Sequence, residues 1–85
     1  MNDKELSVNQ SYIENTDLTS LYNEGVKFMN DGRYDDSIPI FERLVNKYPD
    51  NVDYIYMLGK SFYDKRDFNN ALIVFKKLIQ KEPSN

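Results

Sequence analysis

Residues 35–51, DDSIPIFERLVNKYPDN, recur as NNALIVFKKLIQKEPSN at residues 69–85, an unbroken offset of 34 positions. The same offset continues upstream, so that residues 18–51 and residues 52–85 form two aligned copies. Self-similarity at a fixed period of this length is typical of proteins built from stacked helical or strand units. Eight positions are identical in the two copies: Tyr22/Tyr56, Gly25/Gly59, Phe28/Phe62, Phe41/Phe75, Leu44/Leu78, Lys47/Lys81, Pro49/Pro83 and Asn51/Asn85.

Apolar residues within each copy recur every three or four positions, which is the spacing of one face of an α-helix. Each copy contains two such stretches, separated by a short polar segment. A good N-cap residue precedes the first stretch of each copy, and a proline follows the second stretch. We therefore predict two helical hairpins with helices near residues 18–30, 35–47, 52–64 and 69–81.

Small residues occupy special positions in the helices and turns of the predicted hairpins. Gly32 lies in the predicted turn of the first copy, where it is free to adopt a positive φ. Gly25 and Gly59 lie in mid-helix, where each costs about 1 kcal/mol relative to alanine, so we expect a packing reason for them. The small residues Ser37 and Ala71 on the second helices are the predicted partners of the two glycines.

Pro39 interrupts the second helical stretch of the first copy, where the other copy has Ile73. The missing N–H of a proline costs little in the first turn of a helix, because the donors there have no intrahelical acceptor. We therefore predict that this helix begins late, near Asp36 or Ser37, or that its first turn is slightly distorted.

Five positions of each copy form a pattern: a small residue at the eighth and twentieth positions, an aromatic ring at the eleventh and twenty-fourth, and proline at the thirty-second. This pattern and its period resemble the tetratricopeptide repeat family. The resemblance implies an all-α solenoid of two helix-turn-helix hairpins, with four antiparallel helices. The residues that carry the resemblance are Gly25, Phe28, Ser37, Phe41 and Pro49, then Gly59, Phe62, Ala71, Phe75 and Pro83.

The resemblance also implies a function: a scaffold that binds a peptide or protein on the concave surface lined by the first helix of each repeat. Large tyrosine rings beside a lysine suit an apolar or aromatic segment with a nearby carboxylate. The alternative is that several of these tyrosines only complete the packing of the hairpins. The residues expected on the concave surface are Tyr22, Val26, Met29, Tyr56, Lys60 and Tyr63.

Composition argues against several other classes of function. The chain of 85 residues has no histidine and no cysteine, so the commonest general base and the usual ligands of transition metals are missing. Its net charge of −3 disfavours binding to a phosphate backbone. We therefore predict no enzymatic activity, no cofactor, no metal and no nucleic-acid partner. No apolar run is long enough for a membrane span, and a cytoplasmic location is expected if Met1 is the native start.

The second copy ends in an apolar margin made of Leu72, Ile73, Leu78 and Ile79. Two repeats are fewer than the three or so that usually bury a continuous core. Either the chain is an excised part of a longer array, or copies associate through this margin, as a homodimer for example. The acidic first copy and basic second copy weakly favour head-to-tail contact.

Two further features concern the beginning of the chain. Residues 1–17 are polar and are expected to form a flexible extension, or alternatively a short strap on the first repeat. Glu24 stands where the family usually has leucine, and the second copy has Leu58 there. A glutamate is tolerated at this position if the outer side of the first repeat is exposed to solvent.

Overall fold

The computed structural model of the chain describes residues 18–81, so the predicted extension 1–17 and Pro83 lie outside it. The described residues form four helices and no strands. The all-α prediction is confirmed, and each described boundary lies within one residue of the predicted one. The helices are α1 (residues 18–30), α2 (Tyr34–Lys47), α3 (Val52–Lys65) and α4 (Phe68–Lys81).

The two hairpin turns have the same geometry although only one contains glycine. Gly32 has φ +75°, as the sequence predicts, and Arg66 at the equivalent position also has φ 75°. The N–H of Gly32 donates to the Met29 carbonyl at 3.0 Å, and that of Arg66 donates to the Tyr63 carbonyl at 2.9 Å. The turn is therefore fixed by the backbone path, and a non-glycine residue adopts the left-handed conformation in the second repeat.

The starts of α3 and α4 are capped by side chains. Asn51 Oδ1 accepts a hydrogen bond from the backbone N–H of Tyr54 at 3.1 Å, which satisfies one of the free donors of α3. Asp67 Oδ1 accepts from the N–H of Asn70 at 3.3 Å in the same way. Arg33 at the start of α2 makes no such cap bond. Its Nε instead donates to the Asp36 carboxylate at 2.9 Å.

Pro39 lies inside α2 on its exposed side, and the helix does not begin late. The prediction of a start near Asp36 or Ser37 is wrong, because α2 already begins at Tyr34. The N–H of Ser37 donates to the Arg33 carbonyl at 3.1 Å, so the backbone hydrogen bonds of the helix begin before the proline. Pro39 therefore removes the bond to the Asp35 carbonyl from the second turn, and the helix continues beyond it to Lys47.

The core is centred on α2 and α3. Phe41 and Leu44 of α2 are 0% and 1% exposed, and Ile55 of α3 is 2% exposed. Two buried hydroxyls also join these helices, since the Ser37 Oγ lies 3.3 Å from the Ser61 Oγ. Every buried side-chain polar atom of the described residues has a hydrogen-bond partner.

The two mid-helix glycines face aromatic rings. A Cβ added at Gly25 would lie 2.8 Å from Phe41 Cζ, and one added at Gly59 would lie 2.5 Å from Phe75 Cε1. The predicted partners Ser37 and Ala71 are therefore wrong. In each hairpin the glycine lets a ring of the second helix lie directly against the backbone of the first helix.

Candidate partner-binding surface

The exposed aromatic residues of α3 lie in one line along the helix. Tyr56 and Tyr63 are 46% and 56% exposed, and Lys60 lies between them with part of its side chain in solvent. These three residues are four and three positions apart, which places them on one face of the helix. The structure thus brings together the three residues that the sequence predicts on the concave surface of the second repeat.

A cleft of about 300 Å³ opens beside this line of side chains; it is called the tyrosine cleft below. Its walls are Tyr56, Lys60, Tyr63 and Asp64 of α3 and Phe75 of α4. The Tyr56 and Phe75 rings have centroids 6.3 Å apart and are tilted by 43°. Gly59 explains how a residue of α4 reaches the cleft, because the absence of a Cβ lets the Phe75 ring lie against α3.

The tyrosine cleft contains one ion pair. Lys60 Nζ donates to the Asp64 carboxylate at 3.2 Å. The hydrogen bond with Asp64, and then its negative charge, raise the pKa of Lys60 above its ordinary value, so the ion pair favours the ammonium form. The cleft therefore combines aromatic walls with one cation whose present partner is an exchangeable carboxylate. An aromatic or aliphatic side chain next to a carboxylate matches both features.

The predicted residues of the first repeat are less available. Met29 is 7% exposed and belongs to the core, so its assignment to the partner surface is wrong. Tyr22 is half-buried, with its ring 5.9 Å from that of Phe41 and 5.8 Å from that of Tyr54. Val26 is also partly buried against the core. Packing against α3 and the core covers these side chains of α1, whereas Tyr56 and Tyr63, the equivalents of Tyr22 and Met29, are exposed.

The four residues of the predicted apolar margin do not share one face. Leu72 and Ile79 of α4 are 56% and 68% exposed and are seven positions apart, so they lie on the same side. Ile73 is 54% exposed but borders a different cleft, together with Val45 of α2. Leu78 is partly buried and packs against the core.

Two aromatic residues of α4 belong to the exposed surface and are absent from the predicted sites. Phe68 is 50% exposed, and its ring lies 5.3 Å from that of Tyr63. Phe75 forms a wall of the tyrosine cleft. The sequence contains a pattern that predicts both positions. A spacing of four, three and four places four apolar residues on one helix face: Phe68, Leu72, Phe75 and Ile79.

The described part of the chain shows neither a metal site nor a membrane span. No group of three or more acidic, histidine or cysteine side chains within residues 18–81 could hold a metal ion. None of the helices in that range combines the length and the apolar character that crossing a membrane requires.

The repeated hairpins and their glycine-to-ring contacts indicate the family of the chain. The sequence model described as "Tetratricopeptide repeat" matches residues 19–51 and again residues 53–85. The chain belongs to the tetratricopeptide repeat family. Tetratricopeptide repeats generally mediate protein–protein interaction and form a scaffold that is not enzymatic. No curated protein matches the chain. The matched ranges make α1 and α3 the first helices of the two repeats.

Proposed function

We propose that this tetratricopeptide repeat protein is an interaction module that holds a peptide or protein segment against the tyrosine cleft. The observation that carries the proposal is the exposure of Tyr56 and Tyr63 on either side of Lys60, with Phe75 as a further wall of the cleft. Tyrosine gives a large contact area and has few torsions to freeze on binding, which makes it a frequent anchor in protein interfaces.

The proposed ligand is a segment with an apolar or aromatic side chain next to a carboxylate. The apolar side chain packs in the cleft against the rings of Tyr56 and Phe75, which contact each other and form part of its wall. The ligand carboxylate replaces that of Asp64 as the acceptor for Lys60, so the cation is paired in both the free and the bound protein. This exchange keeps Lys60 paired, while the displaced carboxylate of Asp64, whose side chain is 28% exposed, turns to water.

Selection from a peptide library on the full chain, followed by calorimetry of a selected peptide, tests this function. Tyr56→Ala and Lys60→Glu each weaken binding by about tenfold or more, because each removes a central contact. Tyr48→Ala and Lys27→Glu are matched controls outside the cleft, and they leave the affinity unchanged. Circular dichroism checks that all four variants keep their helices. Equal binding by the cleft variants and the controls contradicts the proposal.

A further inference from the structure

One stripe of α4 is open to solvent although its counterpart in the first repeat is covered. The open stripe consists of Phe68, Leu72, Phe75 and Ile79. Leu72 is 56% exposed, whereas the equivalent Ile38 of α2 is 8% exposed. Phe75 is partly exposed, whereas the equivalent Phe41 is fully buried. The difference arises because α3 packs against α2, while no helix of the described chain packs on the same side of α4.

The outer face of α1 is unsuited to cover the open stripe of another copy. Within α3, Leu58 and Ser61 are 7% and 0% exposed, and Ser61 makes its buried contact with Ser37 of α2. The equivalent residues of α1 are Glu24 and Lys27, which border a polar cleft. An α1 helix packed as α3 is packed would take both charges out of water, which is costly even if they pair with each other. This disfavours the head-to-tail contact that the charge distribution along the chain suggests.

The open stripe is complementary to itself. Its spacing of four, three and four reads the same from either end, as in the apolar seam of a coiled coil. When two such helices pack antiparallel about a two-fold axis, Phe68 lies opposite Ile79 of the second copy. Leu72 then lies opposite Phe75 of the second copy, so the pair and a segment bound in the tyrosine cleft compete for the Phe75 ring. Lys76, the charged residue at the edge of the stripe, is displaced along the axis from its own counterpart, so the two ammonium groups do not meet directly.

We propose that two copies of the protein pair through the open stripe of α4, antiparallel and about a two-fold axis. The contact uses the same side of the second helix that α3 covers in the first repeat, and it therefore continues the packing of the repeat array. A two-fold contact is closed, because each copy uses the same surface. The assembly consequently stops at a pair, and the contact does not use the polar outer face of α1.

Sedimentation equilibrium of the full chain over a wide range of concentrations tests the pair. The wild-type protein shows a monomer–dimer equilibrium and no larger species. The double variant Leu72→Glu/Ile79→Glu raises the dimer dissociation constant by about tenfold or more, since two apolar contacts per copy become buried charges. Ile73→Glu is the matched control, because Ile73 lies on the same helix and is similarly exposed but does not belong to the open stripe. It dimerises as the wild type does. Added salt does not weaken the pair, because the contact is apolar.

A second measurement applies even if the double variant does not fold. The chain has no natural cysteine, so single cysteines can be placed at will. Lys76→Cys beside the stripe is joined between copies by a short thiol-reactive cross-linker, whereas Glu24→Cys on the outer face of α1 is not. In sedimentation, a wild-type protein that stays monomeric at every concentration overturns the proposal, and so do species larger than a dimer. Loss of the dimer in Ile73→Glu also overturns it. In the cross-linking experiment, equal cross-linking at both cysteines overturns it. A monomer that binds an added helical peptide at the stripe overturns it too.

Discussion

Gly25 and Gly59 occupy equivalent positions in the two repeats, yet the rings they face differ in their freedom to move. Phe41 is fully buried, and an added Cβ at Gly25 would lie 2.8 Å from it. Phe75 is partly exposed, so its ring can move toward the solvent when a Cβ is added at Gly59. The freedom of the neighbouring ring, and not the length of the contact alone, decides the cost of a methyl group here.

We expect Gly25→Ala to destabilise the protein and Gly59→Ala to be close to neutral. Alanine in mid-helix gains about 1 kcal/mol over glycine, while overpacking a tight core costs about 1 to 3 kcal/mol. The second effect wins at Gly25, and the two roughly cancel at Gly59. Urea unfolding of both variants measures the difference. If Gly25→Ala is at least as stable as Gly59→Ala, the prediction is wrong, because the side chains around Phe41 then rearrange to accommodate the methyl group.

Asp67 makes stability depend on pH in the acidic range. The hydrogen bonds from the Asn70 side chain and backbone lower the pKa of Asp67, so folding favours its ionised form. A group whose pKa is lowered by folding contributes stability above its ordinary pKa, and this contribution is lost as the pH falls through the folded value. Asp67→Ala therefore lowers the free energy of unfolding near neutral pH, and its difference from the wild type shrinks on acidification. Urea unfolding at several pH values checks this; a difference that grows on acidification contradicts it.

The residue-scale predictions from sequence were correct where the local backbone decides and wrong where packing between helices decides. Gly32 has the predicted positive φ, because a turn of this kind requires it. Met29 and the partners of the two mid-helix glycines were misassigned. Periodicity shows which residues share a face of a helix, but the crossing of two helices decides which neighbour covers that face.

Among the elements, α2 is the helix whose sequence conflicts with its structure. Pro39 lies in its second turn, where proline removes a backbone hydrogen bond and crowds the carbonyl of Asp35. The helix forms nevertheless because its other face carries the core residues Ile38, Phe41 and Leu44. Tertiary packing thus outweighs a local preference, which is why the late start of α2 predicted from the proline alone is wrong.

Replacing the proline should stabilise α2. We expect Pro39→Ala to raise the free energy of unfolding by about 1 to 3 kcal/mol, because it restores the donor and relieves the contact with the preceding turn. Ile73→Ala at the equivalent position of α4 is the control; it changes an exposed side chain without restoring a donor, and its effect stays within about 0.5 kcal/mol. Chemical unfolding measures both. A Pro39→Ala protein less stable than the wild type contradicts this view of the helix.

At the scale of the whole molecule, burial is uneven between the second helices of the two repeats, α2 and α4. Helices α2 and α3 each have four buried residues, whereas α4 has Ala71 and Val74. The alignment of the two copies predicts equivalent helices with nearly equivalent bounds, and the structure agrees. It does not predict this difference in burial, because equivalent residues acquire different neighbours when one repeat has a follower and the other does not.

We expect α4 to open before α2 and α3 do. Local opening has a lower free energy where few apolar contacts hold an element. Hydrogen exchange followed by mass spectrometry in dilute solution should therefore show faster exchange of the α4 amides than of those in α2 and α3. Exchange of α4 at the same rate as α2 would indicate that the open stripe is covered even in dilute solution.

The tyrosine cleft is the central assignment, and nuclear magnetic resonance of the labelled full chain tests it most directly. A peptide selected for binding is titrated into the protein, and the changes in amide and side-chain shifts are mapped onto the structure. The account predicts the largest changes at Tyr56, Lys60, Tyr63 and Phe75, with little change on the outer face of α1. Changes centred on Glu24 and Lys27 of α1, or along Ile73 and its cleft, would contradict it.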